Sequence, residues 1–524
     1  MAEINLLDCT LRDGGYINDW NFGYETIKSI INKLVASEVE YVEIGFLRNC
    51  EYDKNRSVFN NCEQMKNILP AEHGKTKFSA MALHNTYDVN KLEPYDGKTI
   101  DLIRVTFHDY DIDEGLEFIR RVKEKGYKVA CNPINIMGYS DAQILELLKK
   151  VNELKPYGFS IVDTFGSMMK GDLLRIYSMV ENNLDKSVVI GLHLHENLAL
   201  AYSLAQEYIN IKAYGRESII DASMLGMGRV PGNLCMELIM DYMNKMQGRN
   251  YNVNPVLDGI DDHIIQLKQI EPWGYNIAYA LSAKYNLHRN YSEFLLGTGK
   301  LRAKQINQIL SQIASDKKTA FDKSYIEKLY LDFQSIQADD VELMQNLERE
   351  LESKKVLIIA PGSSIRKYRE QIDVFREENK PVTFSANFVP DDYDVDYAFL
   401  SNARRYETYR DKKNVNQIIV TSNLLNLEPE TCNVINYSDV SFSEKGICDN
   451  CVIMLLRMLA KIGKKQVYLA GFDGYQENGV NYVNAHMASL HTKGEEENIL
   501  IRRYVKELEE KMQLEFLTPS RYED

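Results

Sequence analysis

The chain has 524 residues, 44 % of them hydrophobic and 26 % charged, which is enough apolar material for more than one core. At about 150 residues per domain that length predicts roughly two to four domains. Twenty-nine Gly and twelve Pro exclude collagen-like and low-complexity readings, and a net charge of −14 excludes a chain built mainly to grip phosphate backbones. Nucleic acid is therefore not an expected partner.

The opening stretch MAEINLLDCTLRDGG has no basic region followed by an apolar core, and nowhere do eighteen apolar residues run together. A cytoplasmic protein without a membrane span is expected. Short β-branched, apolar runs then recur at Ile4–Leu7, Val39–Ile44, Phe78–Leu83, Leu102–Thr106, Lys128–Cys131, Gly158–Val162, Val188–Leu192 and Ser218–Ala222. Helical patterns lie between them, as at Ser140 to Leu154, where Ser140 and Gln143 fit a capping box and Ile144, Leu147, Leu148 and Val151 share one face. Eight β runs alternating with helices predict a TIM (β/α)8 barrel over residues 1–253, with a doubly wound open sheet as the alternative.

Residues 254–355 read as a helical extension and linker, ending in the charged stretch Asp339 to Lys355. From Val356 a new α/β pattern begins, with VLIIAPGSS, PVTFSAN, DYAFLSN, QIIVTSN, CNVINY, QVYLAGFDG and LEFLTP as strand candidates. Residues 356–524 are expected to form a second, doubly wound Rossmann-like domain. Eight Cys are scattered at 9, 50, 62, 131, 235, 432, 448 and 451, which is not a disulfide framework. Cys448 and Cys451 form a C-x-x-C, but no second pair completes a zinc site and an apolar helix-like run follows.

Chemistry is concentrated at the ends of the barrel strands. His193 and His195 alternate with Leu192 and Leu194, so period two sends both imidazoles inward and both leucines toward the helices. Two inward histidines at a barrel mouth are expensive to bury without partners, and a divalent cation would satisfy them. For an isolated H-x-H, ordinary hydrogen-bonded histidines remain the alternative. After the first strand stand Arg12 and Asp13, followed by Gly14 and Gly15, and Asp13 can reach the same cation. After the eighth comes GMGRVPGN, whose Asn233 offers an amide oxygen, a fixed loop, or both. Glu43, His84, Arg104, Thr106, Asn132, Asp163 and Thr164 end other strands and would line the same mouth. Such a cation acts as a Lewis acid toward a 2-oxo acid, with Arg12 beside the developing oxyanion.

LLDCTLRDGGY, GLHLHENLALA and GMGRVPGN together resemble the metal-dependent pyruvate aldolase and acyl-transfer superfamily of TIM barrels, over about residues 1 to 300. The Gly-Gly-Tyr form and the tail Trp273 to Tyr279 look most like its 4-hydroxy-2-oxovalerate aldolase branch. The resemblance implies Asp13, His193 and His195 as ligands of Mn2+ or Mg2+, with Co2+ as an alternative, and Asn233 as a metal-site or loop residue. It implies Arg12 as the enolate-stabilising arginine. Tyr16 stands where that branch carries a histidine base. Catalytic roles are thus expected for Arg12, Tyr16, Glu43 and Asp163, and substrate contacts for Arg104, Thr106, Thr164 and Tyr279.

The last 170 residues resemble, more weakly, Rossmann-like domains of the sialyltransferase and pterin-pyrophosphokinase type. Gly362, Ser363 and Ser364, with Asp473 beyond a later strand, would hold the phosphate of a nucleotide or nucleotide sugar; a plain strand-to-helix turn is the alternative. The expected activity is a divalent-metal aldolase joining, or cleaving, a 2-oxo acid such as pyruvate and an aldehyde, with surface-glycan or nucleotide-sugar metabolism suggested by analogy. An acyl-CoA-dependent Claisen enzyme, and a nucleotide-sugar binding or transferase protein with the barrel as scaffold, are the alternatives. A homo-oligomer is expected.

Overall fold

The computed structural model describes residues 4–229, 231–427, 433–444, 446–476, 481–484, 487 and 494–523. Val230 of the glycine-rich motif and Cys432, which opens the CNVINY run, lie outside them. The chain divides into two compact units, residues 1–289 with 318–320, and residues 290–317 with 321–524. The helical stretch expected over 254–355 is thus shared between the two.

In the first unit, β1 (Ile4–Asp8), β2 (Tyr41–Leu47), β3 (Val58–Phe59), β4 (Lys77–Leu83), β5 (Leu102–Phe107), β6 (Lys128–Pro133), β7 (Gly158–Asp163), β8 (Val189–Leu194) and β9 (Ser218–Ala222) form one sheet. Its order is β1-β9-β8-β7-β6-β5-β4-β2-β3 and all pairs are parallel; β1 pairs β2 through Leu7 and Tyr41, which closes a TIM barrel and leaves the two-residue β3 outside it. All eight β runs read from the sequence are barrel strands. Side-chain alternation sorts the strands' apolar residues into two sets. Leu7, Tyr41, Leu102, Ala130, Val189 and Ile219 fill the barrel interior, whereas Leu6, Val42, Ile103, Val129, Ile190, Leu192 and Ile220 pack against the helices. The helix Asp141–Leu154 has the expected capping box at Ser140 and Gln143, worth about 1 kcal/mol, and buries Ile144, Leu147, Leu148 and Val151.

The second unit carries β10 (Val356–Ile359), β11 (Val382–Ala386), β12 (Val395–Leu400), β13 (Val415–Thr421), β14 (Val434–Ile435), β15 (Gln466–Ala470) and β16 (Gln513–Phe516). They form an open parallel sheet in the order β14-β13-β12-β11-β10-β15-β16. Val356 and Ile358 face one apolar cluster and Leu357 and Ile359 another, so the sheet is covered on both faces, as a doubly wound domain requires. The strand order reverses between β10 and β15. Cys448 and Cys451 are buried free thiols; burial raises both, Cys451 to about 12, so neither is poised for redox chemistry. No helix among the described residues is long and apolar enough to cross a membrane.

Candidate metal centre

His193 sits on β8 facing inward, because it pairs in register with Val162 of β7 while Leu194 pairs with Asp163 on the outer face. Its Nδ1 lies 2.9 Å from the Asp221 carboxylate, which can only accept, so Nδ1 carries the proton and Nε2 is free for a ligand. Two residues on, His195 Nδ1 donates to the Gly232 carbonyl at 3.1 Å, which fixes the same tautomer. The two rings lie 4.9 Å apart at 85°. Asp13 reaches them from the turn after β1, and the ligand atoms of Asp13, His193 and His195 all lie within 4.8 Å of one another, every residue buried.

The protonation states suit a cation. Burial alone raises the Asp13 carboxyl, but the Arg12 guanidinium, helped by the Asn233 hydrogen bond, outweighs it and holds the group well below its ordinary range. Burial pulls His195 down to about 3, so its imidazole is neutral. Asn233 supplies a further test of fit. Its Nδ2 donates to Asp13 Oδ2 at 2.9 Å, while its Oδ1 is buried with no hydrogen-bond partner. Two neutral imidazoles, a carboxylate and an unpaired amide oxygen are a donor set for a divalent ion. The loop is shaped around this set: a Cβ on Gly228 would lie 2.2 Å from Asn233 Nδ2 and 2.9 Å from Asp13 Oδ2. Gly15, where a Cβ would collide with the Trp20 ring, keeps the turn after Asp13 tight.

Around the ligands runs a buried chain of alternating charge. Arg12 donates from Nη1 to Asp13 at 2.5 Å and from Nε to Glu43 at 2.7 Å; Glu43 also accepts from Arg104 Nη1 at 3.0 Å, and Arg104 Nη2 donates to Asp221. Burial would lower the Arg12 guanidinium, yet Glu43 and Asp13 overcome it and keep the charge. Among the described residues Arg12 Nη2 has no partner, which leaves one guanidinium donor for a substrate oxygen.

Several residues expected at the mouth have other work. Asp163 does not face the mouth: it shares the outer face with Leu194, and its two oxygens accept from the backbone N–H of Ser167 and Met168, capping the turn after β7. Glu43 and Arg104, with Glu43 fully enclosed, brace Arg12 and Asp221. Thr106 is buried at the end of β5. Thr164 accepts from the Asn135 N–H and lines a cleft with Phe165, His195, Asn197, Arg229, His288 and Arg289. Tyr279 meets Asn197 through its backbone carbonyl. Tyr16 packs on Trp20 beside Arg229, and its hydroxyl has no hydrogen-bond partner among the described residues. Asp221 was not foreseen. The alternation Ile219, Asp221 in the last barrel strand carried the signal, since a charged residue at an inward position needs a reason.

In the second unit, Gly362 and Asp473 do meet where the strand order reverses. There the Asp473 carboxylate takes the Ser364 N–H at 2.8 Å and its hydroxyl at 2.5 Å. The expected phosphate donors of Ser364 are therefore already occupied, by a group that repels an anion. The helix that follows, Ser364–Lys367, is a single turn and adds little dipole.

The first unit is thus a parallel barrel with an Asp-His-His cluster, a candidate metal site, at the C-terminal end of its strands. Residues 3–261 match the HMGL-like family, and this barrel belongs to it; it is a lyase-type enzyme. The chain is 25 % identical over 276 residues to a 4-hydroxy-2-oxovalerate aldolase of Moorella thermoacetica, covering 51 % of this chain and 79 % of that one. It is 24 % identical over 250 residues to an oxaloacetate decarboxylase of Mycobacterium tuberculosis, covering 45 % and 68 %. The crystal structure of an HMG-CoA lyase from Brucella melitensis superimposes with a TM-score of 0.42 at 14 % identity, over 51 % of this chain and 100 % of that one.

Proposed function

We propose that the barrel is a divalent-metal aldolase that makes or breaks the carbon–carbon bond between the enolate of a 2-oxo acid, pyruvate or a close analogue, and an aldehyde. The observation that carries this reading is the pair of free Nε2 atoms and the Asp13 carboxylate gathered beside the unpaired Nη2 of Arg12. The relatives named 4-hydroxy-2-oxovalerate aldolase support it. Asp13, His193, His195 and the Oδ1 of Asn233 would hold the ion, with Mn2+, Mg2+ and Co2+ as candidates. Bound there, the ion supplies Lewis acidity that makes the 2-oxo acid's methyl protons more acidic and stabilises the enolate.

The chain's own residues do the rest. Arg12 Nη2 donates to the oxygen on which negative charge grows, and Glu43 holds the guanidinium in place for it. The methyl C–H bond breaks with its proton passing to solvent at the mouth, the new bond forms from that carbon to the aldehyde carbon, and the aldehyde oxygen takes up one proton, so none is gained or lost overall. Tyr16, with its hydroxyl unpaired in protein contacts at the rim, is the residue proposed to exchange that last proton.

The test is deuterium exchange into the pyruvate methyl group, followed by proton NMR, which needs no acceptor. Exchange that disappears on chelation and returns with added Mn2+, Mg2+ or Co2+ supports the reading; a metal-free protein that exchanges at the full rate overturns it. A second reading, decarboxylation of oxaloacetate, follows from the Mycobacterium relative and passes through the same enolate. Loss of oxaloacetate without any aldol product from any aldehyde would favour it.

A further inference from the structure

On β5 and β6 the inward side chains change character toward the mouth. Leu102 and Ala130 fill the barrel interior, and Arg104, the next inward residue of β5, is matched by Glu43 and Asp221. Two residues on, strand alternation brings Thr106 inward, and it pairs in register with Asn132 of β6, itself two residues beyond Ala130. Asn132 is 2 % exposed and Thr106 9 %. Neither side chain is satisfied by the protein. Asn132 Oδ1 is buried without a hydrogen-bond partner, and among the described residues neither the Asn132 amide nitrogen nor the Thr106 hydroxyl makes a hydrogen bond. A buried amide of this kind has given up water without replacing it, which is destabilising. Its strand neighbours Val129 and Cys131 pack against the helices, so β6 is otherwise apolar at this level and a carboxamide at the inward position needs a reason.

Its place in the barrel supplies one. Arg104 touches Asp221, and Asp221 holds Nδ1 of His193, so Thr106 and Asn132 lie one inward step nearer the opening than the brace behind the metal ligands. In the closed ring of strands β6 stands opposite β1, whose following turn carries Asp13 and Tyr16. An aldehyde that turns its oxygen to Tyr16 while its carbon meets the enolate extends across the mouth toward β5 and β6. There Asn132 and Thr106 together offer hydrogen-bond donors and acceptors and no charge. A hydroxyl, donor and acceptor at once, matches that pair. A carboxylate or phosphate finds no cation in it, and an alkyl chain leaves the buried amide unpaired.

We infer that the acceptor is a 2-hydroxy aldehyde, its hydroxyl hydrogen-bonded by Asn132 and Thr106 while its carbonyl carbon faces the enolate. This rests on the aldolase reading and narrows it to a substrate class. Asn132 and Thr106 act as specificity residues, and neither carries the reaction's proton.

The experiment uses the full-length protein with pyruvate and the ion that restores pyruvate exchange, and two pairs of acceptors that differ by hydroxyl groups. One pair is glycolaldehyde against acetaldehyde, and the other is glyceraldehyde against propanal. The expected result is a kcat/KM at least about tenfold higher for the hydroxylated member, because a site built around a hydroxyl discriminates against the analogue that lacks it. A 2-hydroxyl also makes a carbonyl more electrophilic, so the substitutions decide. Asn132→Leu and Thr106→Val, both close to the parent in volume, should each lower that ratio, chiefly by raising KM for the hydroxylated aldehyde. A binding measurement without turnover accompanies it: glycolamide, an unreactive counterpart of glycolaldehyde, should raise the melting temperature in the presence of pyruvate where acetamide does not, and the variants should lose the difference. Ratios near one, or no turnover of either hydroxylated aldehyde, overturn the inference, as does a ratio that survives both substitutions. If circular dichroism shows Asn132→Leu unfolded, Thr106→Val decides alone. Deuterium exchange into pyruvate by the parent separates the two failures. If exchange is present and the ratios are flat, only the hydroxylated acceptor is wrong; if exchange is absent, the aldolase reading itself has failed and this inference falls with it.

Discussion

Asp221 decides how His193 presents itself. Its carboxylate accepts from His193 Nδ1 and from Arg104, and burial, which would raise it, is outweighed by Arg104 and by the His193 hydrogen bond, so it stays ionised. Asp221→Asn keeps the shape, halves the acceptor capacity and leaves His193 free to turn. Carboxylates behind metal-binding histidines are worth roughly 10- to 100-fold in metal affinity, and that is the loss expected in a metal titration of this variant. Circular dichroism should show the barrel still folded, since Arg104 retains Glu43. Arg12 makes a different prediction. Arg12→Lys preserves a positive charge between Asp13 and Glu43, so metal content should hold. Lys cannot keep both contacts and also offer a third fixed donor, so pyruvate exchange should fall by about 10²-fold. A Lys variant that exchanges at the parental rate would reduce Arg12 to a brace.

At the scale of elements, the loop after β9 matters more than the strand itself. Gly228 passes so close to Asn233 and Asp13 that a methyl group there must displace one of them. Gly228→Ala should therefore lower metal affinity at least about tenfold while leaving the melting temperature within a few degrees, because the added methyl first meets the Asn233 and Asp13 side chains and not the loop's core residues Met224, Met227 and Leu234; equilibrium dialysis and a thermal melt read the two effects. The strands were legible in the sequence because an apolar, β-branched run has few alternatives once helices flank it. Which side chains point inward was legible at H-x-H, where leucines mark the opposite face. It was misread at Asp163, which looked like a mouth residue from its place at a strand end yet shares Leu194's face. Arg104 and Glu43 were recognised as mouth-facing, but their mutual contact spans 61 positions, and no local pattern reveals that two such groups satisfy each other. The same holds for Ser364 and Asp473, 109 positions apart, whose meeting fills the donors that the turn alone seemed to offer.

For the whole molecule, buried titratable groups set two opposing dependences of stability on pH. Asp163 is pushed up to about 7 by burial, against the lowering effect of the Met168 and Ser167 N–H groups, with Asp172 the carboxylate that faces it. Its folded value lies above the unfolded one, about 3.9, so the stability it contributes is complete below about pH 4 and is lost as pH rises through 7. His288 acts in the other sense. It is held at about 3 by burial and by the facing Arg229, Arg289 and His108, below an unfolded value of about 6.5. Its contribution is present above that value and is lost as pH falls toward 3. In the parent the two largely offset each other between pH 4 and 7, so the melting temperature of the native chain should vary little there. Single substitutions uncover each branch. Asp163→Asn should be most damaging near pH 4 and progressively less so up to pH 8, because the parent alone loses stability over that range. His288→Gln should show the reverse, costing least near pH 4 and most above pH 7. Thermal melts of the three proteins in buffers of matched ionic strength give the difference curves directly. Parallel curves with no slope would mean that neither group changes its protonation on unfolding, and slopes of the opposite sign would mean that Asp163 is ionised, or His288 charged, inside the folded barrel.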